Sequence, residues 1–485
     1  MVGMNDGSPS ISQPHLPEIG QRARIRAVHP PNPADTPLMI PTSSAAPGVS
    51  SALAHSRTRA PVRLLRRVAT LAASAWIFAA CGTAGPAGGG PPAAAPRNGQ
   101  AGRPYVVMIS LDGFRHDYTD LWPLPTLRRM QAEGARARAL VPTFPSKTFP
   151  NHYAIVTGMY AGRHGLVGNE MWDPARSRRY QTANSAATGD ASWYGGEPIW
   201  VTAERQGVKA ATFFWPVSDA AVGGVRPSYW KPYDGSVEDV ARVDSMVAWL
   251  ALPPAQRPHL VLGYFSDVDD AAHRNGPEAL ETRAAATVVD RMLGRLREGI
   301  SRLPIADSVT LIVVSDHGLT ATDSAAFLDD YASLGDTTAV VTAATYAQLF
   351  FGGDRAKTER AWTSLQRMPH AHAWRNAEIP ARYHLAGNPR AGDVFVLMDP
   401  PFTIERSRGA RPAGYRPARG NHGFDNTIPD MQGIFIAAGA GVRPGSTLGP
   451  MENVNVYPFI AHLLGLRPAA GIDGSLEATR GILLR

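Results

Sequence analysis

The sequence predicts an α/β protein built on a central, mostly parallel sheet with helices on both faces. Four short apolar runs carry the first part of this reading: Tyr105–Leu111, Leu260–Phe265, Val309–Ser315 and Gly433–Ala438. They are near-continuous in Val, Ile, Leu and Phe, as strands buried on both sides are. The second part is two long amphipathic stretches between them, Val237–Leu252 and Glu278–Leu303. Each is long enough to cover a sheet, and parallel strands need such crossovers. The third is a break in the rhythm over about 320–420. There, β-rich pieces such as Tyr346–Phe351 and Asp393–Met398, and a Pro/Arg-rich loop at 405–419, predict an insertion or small subdomain. The chain contains no internal repeat.

Length and charge set the outer limits. At 485 residues there is material for a large core or for two domains. The net charge is +7, but residues 1–100 hold nine Arg against three acids and so account for nearly all of it. The rest is almost neutral, so the basic balance gives no argument for a nucleic-acid surface, and no stable nucleic-acid partner is expected. Residues 1–61 are rich in Pro, Ser and Ala and read as disordered or not translated. A basic run including Arg63, Arg66 and Arg67 then precedes thirteen mostly apolar residues, Val68–Ala80, and Cys81. Residues 62–81 therefore read as an export signal, too short for an ordinary membrane span. Small residues directly before Cys81 resemble a lipoprotein cleavage site, although Phe78 stands where an aliphatic residue is usual. An ordinary signal peptide with an incidental Cys is the alternative. Val62, if it is the true start, would put the signal at the beginning of the chain. Cys81 is the only cysteine, which excludes an intramolecular disulfide. Residues 82–103 read as a flexible tether and 104–485 as the main folded domain, with the insertion at about 320–420. The expected location is periplasmic and membrane-anchored.

In open α/β sheets, ligands bind beyond the carboxyl ends of the strands. Three of the predicted strands end in metal-type ligands. Tyr105–Leu111 runs into Asp112-Gly113, Leu260–Phe265 is followed by Asp269 and His273, and Val309–Ser315 runs into Asp316-His317. His422 sits in a Gly-rich loop, Gly420–Asn426. Carboxylate and imidazole suit zinc or a similar divalent ion, and no thiolates are available for a Cys-rich site. Singly, each feature has a plainer explanation: a lone Asp after a strand is often a cap, and Asp-x-x-x-His arises by chance. Together they supply two sets of three ligands. A hydroxyl nucleophile is the remaining requirement, and Pro142–His152 offers Ser146 and Thr148. Tyr153–Met159 reads as the start of a helix, which places Thr148 near a helix N-terminus, a position that favours phosphate. Side-chain chemistry alone leaves Ser146 and Thr148 both open.

Several stretches resemble the signatures of the nucleotide pyrophosphatase/phosphodiesterase family, within the alkaline phosphatase superfamily. They are Ser110–Arg115, Lys147–Tyr153, Trp193–Trp200, Ser315–Gly318 and Gly420–Asn426, in the family's order across about 104–465. The resemblance implies an alkaline-phosphatase-like fold and two zinc ions per chain. One zinc would be held by Asp269, His273 and His422. The other would be held by Asp112, Asp316 and His317 and would also bind the Thr148 oxygen. It further implies that Thr148 is the nucleophile and that Asn169, with the backbone N–H of Phe149, stabilises a phosphoryl oxygen. Phe149, Tyr233 and Tyr264 match positions that hold the nucleobase, with core packing as their plainer role. Val268 and Ala271-Ala272 depart from the family's pattern without altering a ligand. The implied reaction is nucleotide phosphodiester or pyrophosphate hydrolysis through a phospho-threonine ester, releasing a nucleoside 5′-monophosphate. The alternatives are a monoesterase of the alkaline phosphatase type, a diesterase for choline or glycerol headgroups, and a non-catalytic metal-binding surface protein.

Overall fold

The structure, a computed structural model, describes residues 103–411 and 417–484. The readings of residues 1–61, of the export signal with Cys81, and of the tether up to residue 102 lie outside the described residues. Up to residue 314 the strands used below are β1 (Tyr105–Leu111), β2 (Ala135–Ala137), β3 (Ala210–Phe213), β4 (Tyr229–Lys231), β5 (Leu260–Phe265) and β6 (Val309–Val314). A separate sheet follows, with β7 (Ala339–Thr342), β8 (Tyr346–Phe350), β9 (Ala371–Arg375) and β10 (Val394–Met398). The chain then returns to the first sheet with β11 (Phe435–Gly439) and β12 (Ser446–Leu448).

The main sheet has eight strands in the order β12-β2-β11-β6-β1-β5-β3-β4. β1 lies near its centre and is parallel to both neighbours, β5 and β6. All seven residues of β1 are buried, and they divide by alternation. Val106 and Met108 enter the core on one face, whereas Val107, Ile109 and Leu111 enter the core on the other. The second of these cores is closed by three helices: α1 (Pro125–Glu133), α4 (Asp239–Ala251) and α6 (Leu280–Ser301). Their buried residues recur at helical spacing, for example Val289, Leu293, Leu296 and Ile300 on α6. The opposite face is covered by α2 (Thr148–Thr157), α3 (Ile199–Arg205) and α8 (Val456–Leu463). Between α4 and α6 in the chain lies the short α5 (Asp267–Asn275), which follows β5.

One strand departs from the parallel pattern. The run expected at Gly433–Ala438 begins at Phe435 and is antiparallel to both β6 and β2. The reason is its approach. The preceding loop carries His422 past the carboxyl end of the sheet, so the next strand starts there and runs back. The second sheet, ordered β7-β8-β10-β9, is antiparallel throughout. With α7 (Arg355–Leu365) it encloses a third core that includes Leu349, Leu365, Val396 and Phe424. Phe424 sits two residues from His422, so the second sheet's core anchors the loop that carries this histidine. Among the described residues no helix is long and apolar enough to cross a membrane.

Candidate active site

The parallel order β6-β1-β5 sets Asp316-His317, Asp112 and the start of α5 side by side at one edge of the sheet. Asp269 and His273 are one turn apart on α5, so both project from the same side of the helix. Gly113 makes the crowding possible. It has φ +67, and a Cβ there would lie 2.8 Å from the Asp269 Cα. Two clusters result, Asp269/His273/His422 and Asp112/Asp316/His317, and the ligand atoms within each lie within 4.8 Å of one another. These are the two ligand sets expected from the resemblance. The clusters abut, since the rings of His317 and His422 stack at 3.6 Å between centroids.

Each histidine presents Nε2 to its cluster because Nδ1 faces a backbone carbonyl. His422 Nδ1 is 2.8 Å from Ser146 O, His273 Nδ1 is 2.8 Å from Gly420 O, and His317 Nδ1 is 3.2 Å from Gly318 O. Such contacts fix the tautomer and ring orientation of a ligating imidazole. Two more side chains hold the His422 loop. Lys147 Nζ and Thr345 Oγ1 both donate to His422 O, at 2.5 and 3.1 Å. Neither role was legible in the sequence, because Thr345 comes from the turn before β8 in the other sheet.

The charges also favour a bound cation. Asp112 is held well above the ordinary carboxylate range by burial and by the charges of Asp316 and Asp269. For Asp316 burial works the same way, but His317 and His152 outweigh it and keep the group low. His422 is pushed far down, first by burial and then by His317, Lys147 and His273, which favours the neutral form that binds metals. Asp112 Oδ1 and Asp269 Oδ1 are buried with no hydrogen-bond donor, whereas Asp316 Oδ2 has His317 Nε2 at 2.9 Å. Orphaned, converging carboxylate oxygens are costly unless a cation meets them. The donor set, nitrogen and oxygen without sulfur, fits zinc or a similar divalent ion.

Thr148 is the first residue of α2, which starts five residues earlier than the helix read from the sequence. Its hydroxyl makes no cap and lies 3.4 Å from His317 Nε2, beside the Asp112 cluster. Ser146 is fully buried. Its hydroxyl donates to Phe424 O at 2.9 Å and accepts from Gly423 N. That hydroxyl ties the Thr148 loop to the His422 loop and is poorly placed to attack anything. Asn169 is also in the site, but in a different arrangement from the expected one. The N–H of Phe149 donates to Asn169 Oδ1 at 2.9 Å, which leaves the amide Nδ2 as the group able to meet an anion.

Phe149, Tyr233 and Tyr264 all line one pocket of about 310 Å³ next to Thr148. Tyr233 is 59% exposed and stands at the rim, whereas Tyr264 is only 8% exposed. Trp215, Asp219 and Lys231, which the sequence reading did not single out, complete much of the wall.

Comparison with known proteins identifies the relatives of this chain. The family model for type I phosphodiesterase / nucleotide pyrophosphatase matches residues 106–425. Ectonucleotide pyrophosphatase/phosphodiesterase family member 3 of Bos taurus is 33% identical over 387 residues, covering 77% of this chain and 44% of its own. The venom phosphodiesterase of Naja atra is 33% identical over 384 residues, covering 77% of this chain and 46% of its own. The chain thus spans less than half the length of these curated relatives. Among solved structures, murine ectonucleotide pyrophosphatase/phosphodiesterase 5, an inactive threonine-to-alanine variant in complex with AMP, superposes with a TM-score of 0.73. That match has 28% identity and covers 79% of this chain and all of the other. The fold, the family model and these relatives lead to one conclusion: the chain belongs to the type I phosphodiesterase / nucleotide pyrophosphatase family of the alkaline phosphatase superfamily.

Proposed function

We propose that this chain hydrolyses nucleotide phosphodiester and pyrophosphate bonds at the α-phosphorus, releasing a nucleoside 5′-monophosphate, with Thr148 as nucleophile and two zinc ions as cofactors. The observation that carries this reading is one juxtaposition. A threonine hydroxyl at a helix N-terminus lies 3.4 Å from His317 of one of two abutting ligand clusters, and the next residue, Phe149, lines an aromatic pocket. The complex of a family relative with AMP supports the choice of ligand class.

Asp269, His273 and His422 would hold one zinc, and Asp112, Asp316 and His317 the other. Bound zinc would supply Lewis-acid charge at the phosphoryl oxygens and lower the pKa of the threonine hydroxyl. Thr148 Oγ1 then attacks phosphorus in line with the leaving oxygen, forming a phospho-threonine ester, and water hydrolyses that ester in a second displacement. The Nδ2 of Asn169, an amide whose oxygen is held by the Phe149 N–H, is the donor available to the developing negative charge at the N-terminus of α2. Phe149 and Tyr233 offer stacking surface to the nucleobase, worth about 1–3 kcal/mol per base. The sequence of residues 62–81 supports export, with Cys81 as the lipidated residue. Cys81→Ser should shift the protein from a membrane to a soluble or unprocessed fraction, and a mature N-terminus beyond Cys81 would reject the anchor.

The direct test is turnover of a dinucleotide, a nucleoside triphosphate, bis-p-nitrophenyl phosphate and an aryl monophosphate, with and without chelator. Nucleotide substrates should be cleaved to a persistent 5′-monophosphate. Phe149→Ala with Tyr233→Ala should impair them roughly ten- to hundredfold while sparing bis-p-nitrophenyl phosphate. Faster turnover of the monophosphate than of every diester would point to a monoesterase instead.

A further inference from the structure

Tyr264 is the penultimate residue of β5, and strand register decides where it points. It pairs with Ser110 of β1, and the ladder continues through Asp112 N donating to Phe265 O at 2.9 Å. Ser110 and Asp112 are two residues apart and share a face of the chain, so Tyr264 and Asp112 emerge on the same side as diagonal neighbours. The Tyr264 hydroxyl donates to Asp112 Oδ2 at 2.6 Å. The other oxygen of that carboxylate, Oδ1, is buried and receives no hydrogen bond. The Tyr264 ring is held edge-on by His152, with centroids 5.2 Å apart, and it walls the pocket shared with Phe149 and Tyr233.

We infer that Tyr264 is a positioning residue for the metal centre. Its hydroxyl occupies Asp112 Oδ2 and so aims Oδ1, the orphaned oxygen, at the ion shared with Asp316 and His317. Without that hydroxyl the carboxylate can rotate, and both oxygens compete for the same place. Because the same ring forms part of the pocket wall, substrate seated there packs against the residue that orients a ligand. This inference rests on reading the Asp112 cluster as a metal site, and it gives Tyr264 a role separate from nucleobase contact.

The test is Tyr264→Phe, which keeps the ring and removes only the hydroxyl. Zinc affinity is measured by competition with a chromophoric chelator in the absence of substrate. One of the two sites should weaken by roughly 10- to 100-fold, the usual cost of losing an outer hydrogen bond to a ligand. At limiting zinc, kcat should fall in proportion and recover with excess zinc, while KM for a dinucleotide stays within about twofold of wild type. A thermal melt of the zinc-loaded variant checks that it folds. Tyr233→Ala serves as the contrast, raising KM without moving zinc affinity. Unchanged zinc affinity in Tyr264→Phe overturns the inference, whether or not KM rises, as does a wild-type protein that binds no divalent ion. If the wild type cleaves no diester yet Tyr264→Phe weakens zinc binding, the functional reading fails and the positioning role stands.

Discussion

Thr148→Ala removes the proposed nucleophile and leaves all six carboxylate and imidazole ligands in place. Turnover should fall by at least about a thousandfold, a loss of the size seen when the nucleophile of a Ser-His-Asp triad is removed, with metal content and folding retained. Thr148→Ser should keep partial activity because the hydroxyl survives. Ser146→Ala should instead act through the His422 loop, lowering stability and zinc affinity, since the Ser146 hydroxyl bridges Phe424 O and Gly423 N. Near-wild-type turnover in Thr148→Ala would remove it from the chemistry. Asn169→Ala should cost roughly 10²–10³ in kcat if its amide meets the developing charge, and unchanged kcat would assign it to orienting Phe149 alone. Asp112, Asp316 and His317 were legible in the sequence because they stand directly after apolar runs, whereas the division of the six side chains into two sets came from the family resemblance. The choice between Ser146 and Thr148 was not legible from side-chain chemistry, since both are hydroxyls in one loop. What separates them is hydrogen bonding: the folded His422 loop occupies the Ser146 hydroxyl as donor and as acceptor, whereas the Thr148 hydroxyl faces His317. The Tyr264 hydroxyl was equally hidden, because strand register, not residue type, turns it toward Asp112.

The strands β1, β5 and β6 were readable almost to the residue, because a strand buried on both faces must be apolar at every position. The shortest strands were not, since β2 and the two edge strands, β4 and β12, are three residues each and carry polar side chains. The reversed direction of β11 was hidden for another reason: composition does not encode which end a strand is entered from. The loop before β11 carries its own prediction. Gly423 has φ +104, and a Cβ there would overlap the Lys147 side chain and the Thr345 hydroxyl. Gly423→Ala should therefore deplete the Asp269/His273/His422 site selectively, measured as about one zinc lost per chain, and full occupancy would show that the loop adapts. The same loop is pinned by Asp425, whose two oxygens receive the Arg382 guanidinium at 2.7 Å each. Burial opposes ionisation of Asp425, but Arg382 and Thr427 outweigh it and bring the group down to about 2. A depressed carboxylate contributes stability that is present above its unfolded value, near 4, and is lost as pH falls through about 2. Arg382→Ala should cost about 0.5–1 kcal/mol at neutral pH. In urea titrations that difference should close toward pH 2. An unchanged difference at pH 2 would place its origin elsewhere.

For the whole molecule, the central inference is that two zinc ions complete the structure as well as the chemistry. Chelation should abolish activity and lower the melting temperature, and added zinc should restore both. At zinc 100-fold above its dissociation constant, each site would stabilise the fold by about 2.7 kcal/mol. Elemental analysis showing one ion or none in fully active protein would rule out the two-zinc reading. The main sheet and the position of the site at its carboxyl edge were legible from sequence. The way the second sheet reaches into that site was not, because Thr345 and Phe424 act through contacts between distant parts of the chain. The most direct test of the covalent mechanism is the stereochemical course at phosphorus, followed with a nucleotide diester made chiral at that atom and hydrolysed in heavy-oxygen water. Attack by Thr148 followed by hydrolysis of its ester is two in-line displacements, so net retention is predicted. Net inversion would mean a single attack by water, and would contradict the phospho-threonine intermediate.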